Sequence, residues 1–193
     1  MSAQTLTRPS VRDGEFHHLC PKCGESYATG MEHVDPKILA MHMSDHRPYC
    51  PAVAVDVPWV FNDGGRELAG FQGSAGDCVT RAIAIAVGLD YRQVYDELAK
   101  RNAAKGGKRS ARNGMPTKIA TAFLAEHGWA WVPTMTIGSG TTVHLRPDEL
   151  PGGPVIVRLS KHVCAVLDGV VNDTYDPSRG GTRAVYGYWI PAP

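Results

Sequence analysis

The chain has 193 residues, 43% of them hydrophobic and 20% charged, with a formal net charge of +1. That is the composition of an ordinary globular protein, long enough for one core domain and a small appendage. A balance this close to neutral gives no electrostatic case for nucleic acid or a membrane surface, and no stretch approaches the roughly 20 apolar residues of a membrane span.

Residues 1–15 are polar and predict a mobile leader, and Met1 to His18 holds no apolar run of signal-peptide length. The five cysteines are an odd number, and Cys20 and Cys23 form a C-x-x-C pair. Together these features predict a reducing compartment, the cytoplasm, where thiols act as metal ligands or nucleophiles. Residues 16–52 read as a small module. Cys20-Pro21-Lys22-Cys23-Gly24 is a tight knuckle that aims two thiolates at one centre. Asp35-Pro36 is a good helix start, an N-cap followed by proline at the first helical position. On the helix that follows, His42 and His46 lie four apart and share a face. Cys20, Cys23, His42 and His46 are therefore the expected ligands of a structural zinc ion, with Cys50 an alternative to one histidine. Leu39 and Tyr27 stand where two-Cys two-His zinc fingers keep their small core, and the segment resembles such a finger with a longer connector. Lys37, Ile38 and Met41 occupy the positions that usually meet bases. Ile and Met match no base-edge pattern, so the module is expected to pack or contact protein rather than read DNA.

A Pro-rich connector leads to residues 53–193, the main domain. Trp59-Val60-Phe61 predicts a core strand, and Asn62-Asp63-Gly64-Gly65 a turn. Gln72-Gly73-Ser74-Ala75-Gly76-Asp77-Cys78 is a Gly-rich loop that runs into an apolar helix, Val79 to Val87, broken only by Thr80 and Arg81 and stopped by Gly88. Cys78 at that junction meets the positive end of the helix dipole, where a thiolate is favoured. Asp90 and Gln93 form a capping box for a second helix. Lys105 to Arg112 reads as a solvated basic loop. A third helix spans about Thr117 to His127, with His127 a dipole partner at its end.

From Trp129 the period changes to two. Strands are predicted at 129–132, at 154–159, at 162–167 and 170–175 around the hairpin turn Asp168-Gly169, and at 185–190. Val143-His144-Leu145 is a possible short strand. Helices first and antiparallel strands later is an α+β order. A two-residue turn at Asp168-Gly169 sets His162 opposite Tyr175 with Asp173 its same-face diagonal neighbour; a one-residue bulge sets it opposite Asp176. Either acid would hold the imidazole for work on Cys78. His144 is a rival base that lacks a nearby acidic partner in a strand pair, and Cys164, two residues after His162, reads as core.

Gln72-Gly73-Ser74-x-Gly76-x-Cys78 resembles the active-site segment of papain-like cysteine peptidases. The resemblance implies that Cys78 opens a central helix as nucleophile, and that Gln72 donates its amide to the oxyanion. Val79 stands where that family usually has an aromatic residue, and Ala75 replaces its extra loop cysteine. Ser160-Lys161-His162 and Tyr175-Asp176-Pro177 resemble the shorter bacterial branches, including bacteriocin-processing peptidases with an Asp-Pro after the histidine, which tips the choice of acid to Asp176. Much of residues 60–190, with Gly76-Asp77-Cys78-Val79-x-Arg81-Ala82 and the ending Val185-Tyr186-Gly187-Tyr188-Trp189, also resembles uncharacterised bacteriophage and prophage proteins. The expected function is a thiol hydrolase on a peptide, isopeptide or other amide bond, with a protein or peptide substrate. The alternative is a phage-encoded, non-catalytic protein-binding module on the same shell.

Overall fold

The alternation that starts at Trp129 and the apolar run after Cys78 decide the architecture. The structure is a computed structural model, and it describes residues 10–12, 15–19, 26–28, 56–135 and 143–193. The chain divides into two units, Met1–Val55 and Asp56–Pro193.

In the first unit, β1 (Ser10–Arg12), β2 (Glu15–Leu19) and β3 (Ser26–Ala28) form an antiparallel sheet in that order. Arg12 pairs with Glu15, and Leu19 with Ser26. Strand pairing therefore begins within the segment expected to be a mobile leader, because Ser10 to Arg12 finds backbone partners in His17 to Glu15. The expected zinc ligands Cys20, Cys23, His42 and His46, and the alternative Cys50, lie outside the described residues.

The second unit is α+β. A six-stranded sheet has the order β4 (Trp59–Phe61), β8 (Val170–Asp173), β7 (His162–Leu167), β6 (Pro154–Leu159), β9 (Gly187–Pro191), β5 (Trp129–Pro133). Every pair is antiparallel except β4 with β8. Three helices accompany it: α1 (Cys78–Val87), α2 (Tyr91–Ala104) and α3 (Thr117–Glu126).

Each boundary has a local cause. Gly88 ends α1 in the left-handed region at φ 75°, its N–H bonding the Ala84 carbonyl. Asp90 caps α2 by accepting from the Gln93 N–H at 3.0 Å, half of the expected box. α2 then buries Tyr91, Val94 and Leu98 at helical spacing. Pro116 precedes α3, which buries Ile119, Ala120, Phe123 and Leu124. The β7–β8 hairpin turns in two residues, Asp168 at φ 48° and Gly169 at φ 81°, and pairs Leu167 with Val170.

Period-two alternation gives the sheet two buried faces. Ile156, Val163, Ala165 and Trp189 join the helices in one core with Ile83, Leu98, Phe123 and Leu124. Val155, Val157, Leu159, Cys164, Val166 and Val171 alternate with them and are also buried, as are Leu145 and Val185. Each such aliphatic side chain contributes about 1.5–3 kcal/mol on burial. The Trp189 Nε1 donates to Thr121 Oγ1 at 3.2 Å, tying β9 to α3. Gly187 is a packing requirement: a Cβ there would lie 2.3 Å from the Trp131 ring.

The structure departs from expectation in four elements. β8 ends at Asp173 rather than running on to Tyr175. β4 is a strand, but an edge strand: Trp59, Val60 and Phe61 are 43%, 47% and 69% exposed, so Trp59 and Phe61 are not core. Val143-His144-Leu145 makes only a single bridge, His144 to Ala184, instead of a strand. The closing strand runs Gly187–Pro191 rather than 185–190, because the Val185 N–H goes to the Val143 carbonyl.

Candidate active site

Cys78 is the first residue of α1 and is partly exposed. The loop before it is pinned from two sides. Arg66 donates from Nη1 to the Phe71 carbonyl at 3.1 Å and from Nη2 to the Gln72 carbonyl at 3.0 Å. Arg112 donates to the Ser74 carbonyl at 2.9 Å, and the Gly114 N–H to the Gly76 carbonyl at 2.8 Å. A loop held this way presents its backbone and Cys78 in a fixed geometry.

His162 opens β7, close enough to Cys78 for its imidazole to act on the thiol. The simple hairpin register holds: Ala165 pairs with Asn172, so Asp173 falls on the face of His162. His162 Nε2 donates to Asp173 Oδ2 at 2.5 Å, between side chains 8% and 4% exposed. With Nε2 taken, Nδ1 is the nitrogen left for the thiol. The lean toward Asp176 is corrected. A two-residue turn leaves no bulge to bring it opposite His162, and Asp176 instead accepts from the Ser178 N–H at 2.8 Å. Tyr175 covers the other side of the imidazole, ring centroids 5.1 Å apart.

The electrostatics follow from these contacts. Burial pushes the Cys78 thiol up. The His162 ring, the Val163 N–H and the Arg81 charge outweigh it, so the net displacement is below the usual cysteine value. Burial likewise pulls the His162 pKa down, but Asp173 and then Cys78 raise it to about 9. Opposite displacements in adjacent groups are the condition for a thiolate–imidazolium pair. Cys164, by contrast, is wholly buried with its pKa driven up, which matches its reading as core.

Several participants escape the sequence. Asp77, immediately before Cys78, is 2% exposed. It accepts from Arg66 Nε at 2.9 Å and from the Tyr91 hydroxyl, and lies 3.1 Å from Arg81 Nε. Arg81 donates from Nη1 to Thr174 Oγ1 at 2.7 Å, and the Thr174 N–H donates to Asp173 Oδ1 at 2.7 Å. One signal was available: a lone arginine in an apolar helix must find a buried partner.

Of the other expected residues, Gln72 is exposed on the wall of a cleft of about 680 Å³ beside the start of α1. The cleft is shared with Ala75, Asp77, Phe61, Thr174 and Tyr175. The Gln72 side chain makes no hydrogen bond among the described residues. His144 is not brought to the thiol, and it does have an acid: Glu149, five residues on, lies 3.0 Å from its Nδ1 and accepts its N–H. His127 Nδ1 lies 2.8 Å from the Phe123 carbonyl at the end of α3, a helix-end contact. Among the described residues no cluster of three or more metal-ligating side chains occurs, and no helix is long and apolar enough to cross a membrane.

Compared with known proteins, the chain matches no family model, no curated protein and no solved structure.

Proposed function

We propose that this chain is a thiol-dependent hydrolase of papain-like type, acting on a peptide, isopeptide or related amide bond. The observation that carries this reading is Cys78 at a helix start, its thiol against an imidazole held by a buried carboxylate. The Cys78 thiolate attacks the carbonyl carbon, and the electron pair of the C=O moves onto oxygen. Gln72 and the Cys78 backbone N–H are the donors for that oxyanion, the role that the resemblance assigns to Gln72. As the tetrahedral species collapses, the imidazolium of His162 protonates the leaving amine and becomes neutral. It then takes a proton from water as that water attacks the thioester, and the acid is released with Cys78 as thiolate again. Asp173 fixes the ring and its tautomer and stabilises its charged form.

The companion proposal is a structural zinc ion held by Cys20, Cys23, His42 and His46, with no part in the chemistry of Cys78.

The test uses p-nitrophenyl acetate as acyl donor on the full chain. The reading requires a burst of nitrophenolate close to one equivalent, acetyl on the Cys78 peptide, and loss of the burst in Cys78→Ala. A burst that persists in Cys78→Ala, or acetyl no faster on Cys78 than on Cys164, refutes hydrolysis and leaves the binding module.

A further inference from the structure

Arg81 lies one turn into α1 from Cys78 and is 12% exposed, although α1 packs against the sheet. A guanidinium there needs more than one acceptor. It meets one counter-charge and one hydrogen-bond acceptor, from different parts of the chain. Its Nε stands 3.1 Å from Asp77 Oδ1, beside the nucleophile, off the axis of a good hydrogen bond. Its Nη1 reaches Thr174, 93 residues on in sequence, at 2.7 Å. Thr174 in turn donates its N–H to Asp173 Oδ1, the carboxylate oxygen that His162 leaves free.

These contacts close a ring. Cys78 meets His162, His162 meets Asp173, Asp173 meets Thr174, Thr174 meets Arg81, and Arg81 meets Asp77, the residue before Cys78. Every link but the first and last has a hydrogen bond of 2.7 Å or less. The ring spans the joint between a helix and a strand whose relative position decides how the thiol meets the imidazole. Resting on the thiolate–imidazolium reading of the site, we infer that Arg81 and Thr174 are positioning residues. They form a strap that locks α1 to the end of β8 and holds Asp173 in register for His162.

The strap acts through two physical effects. The Thr174 N–H at 2.7 Å, with the hydroxyl at 3.4 Å, holds the second carboxylate oxygen and so opposes rotation of Asp173 away from Nε2; the hydroxyl's own part is to anchor Arg81. Arg81, held by Thr174, keeps a positive charge in reach of the Cys78 sulfur, adding to what His162 does. Planar geometry matters: a lysine carries the same charge but cannot address Asp77 and Thr174 at once. Cys78 faces His162 and Arg81; His162 faces Cys78 and Asp173, under the Tyr175 ring; and Cys164 on β7 feels Asp173, Arg183, Cys78 and Asp176.

The experiment is the pH profile of Cys78 carboxamidomethylation by iodoacetamide in the full chain, read by peptide mass spectrometry. The variants are Thr174→Val, Thr174→Ser and Arg81→Lys. Thr174→Val keeps shape and the backbone N–H but removes the hydroxyl. It is expected to slow alkylation at pH 6 about ten-fold, the effect of moving the thiol's titration up by about one pH unit. Thr174→Ser, which restores the acceptor, is expected to keep the wild-type profile. Arg81→Lys is expected to behave like Thr174→Val, and decides the matter if that variant fails to fold by circular dichroism. A purely structural brace would lower the melting temperature of these variants and leave the Cys78 profile unmoved. A rate in Thr174→Val or folded Arg81→Lys within about two-fold of wild type at pH 6 overturns the strap while a fast wild-type Cys78 keeps the thiolate reading. A wild-type Cys78 no faster than Cys164 overturns both.

Discussion

Replacing Asp173 by Asn removes a charge and keeps the shape. Asp173 Oδ2 lies 2.5 Å from His162 Nε2 in a site where both side chains are buried. Burial lowers the imidazole pKa, yet Asp173 and Cys78 together lift it from 6.5 to about 9. That rise of about 2.5 corresponds to roughly 3 kcal/mol favouring imidazolium in the folded chain over the unfolded one. The folded value is the higher of the two. The stabilisation is therefore complete below about pH 6.5 and is lost as pH climbs through about 9. Asp173→Asn is expected to remove most of it, about 2–3 kcal/mol at pH 6, or roughly 5–10 °C in melting temperature for a unit of this size, and much less at pH 10. The assay is thermal unfolding by circular dichroism at both pH values, with a ring-proton NMR titration of His162 alongside. His162 should titrate near 9 in the wild type and at or below about 6.5 in the variant. A wild-type His162 titrating below about 7, or an equal loss at pH 6 and pH 10, refutes the reasoning.

Asp176→Ala, which removes only the acceptor of the Ser178 N–H, is expected to leave the His162 titration unchanged; a drop like that of Asp173→Asn would show that the wrong acid has been assigned. Gly187→Ala sets a Cβ 2.3 Å from the Trp131 ring and is expected to cost about 1–3 kcal/mol by denaturant unfolding, with a change in tryptophan emission. Asp77→Ala strands Arg66 and Arg81 in a buried site and is expected to cost about 3–5 kcal/mol, against about 1 for Tyr91→Phe, which removes only the hydroxyl; equal costs would contradict a charge-based role. Elemental analysis of the purified chain is expected to give one zinc per chain, and its removal by a chelator to leave the Cys78 alkylation rate unchanged.

How much of this was readable beforehand depended on how local the cause was. The helix opening at Cys78, the cap at Asp90 and the stop at Gly88 each follow from a few neighbouring residues, and each forms as expected. The hairpin was equally legible. Asp168-Gly169 allows a two-residue turn or a one-residue bulge; the two-residue turn forms, and period two then places Asp173 on the His162 face. Preferring Asp176 meant setting an Asp-Pro likeness above that register, and the register prevailed. The exposure of Trp59 and Phe61 was not legible, since a three-residue apolar strand reads the same at an edge as at the centre. The acid for His144 and the partners of Arg81 were out of reach for a different reason. Glu149 arrives through a loop and Thr174 through the closure of the sheet, and neither leaves a mark in local spacing.

The measurement closest to the central claim is the rate at which iodoacetamide modifies Cys78 at pH 6 in the full chain and in His162→Ala. The lowered thiol and raised imidazole predict fast, selective modification of Cys78 that collapses in the variant. Modification of Cys78 as slow as that of buried Cys164, or undiminished without His162, would contradict the account.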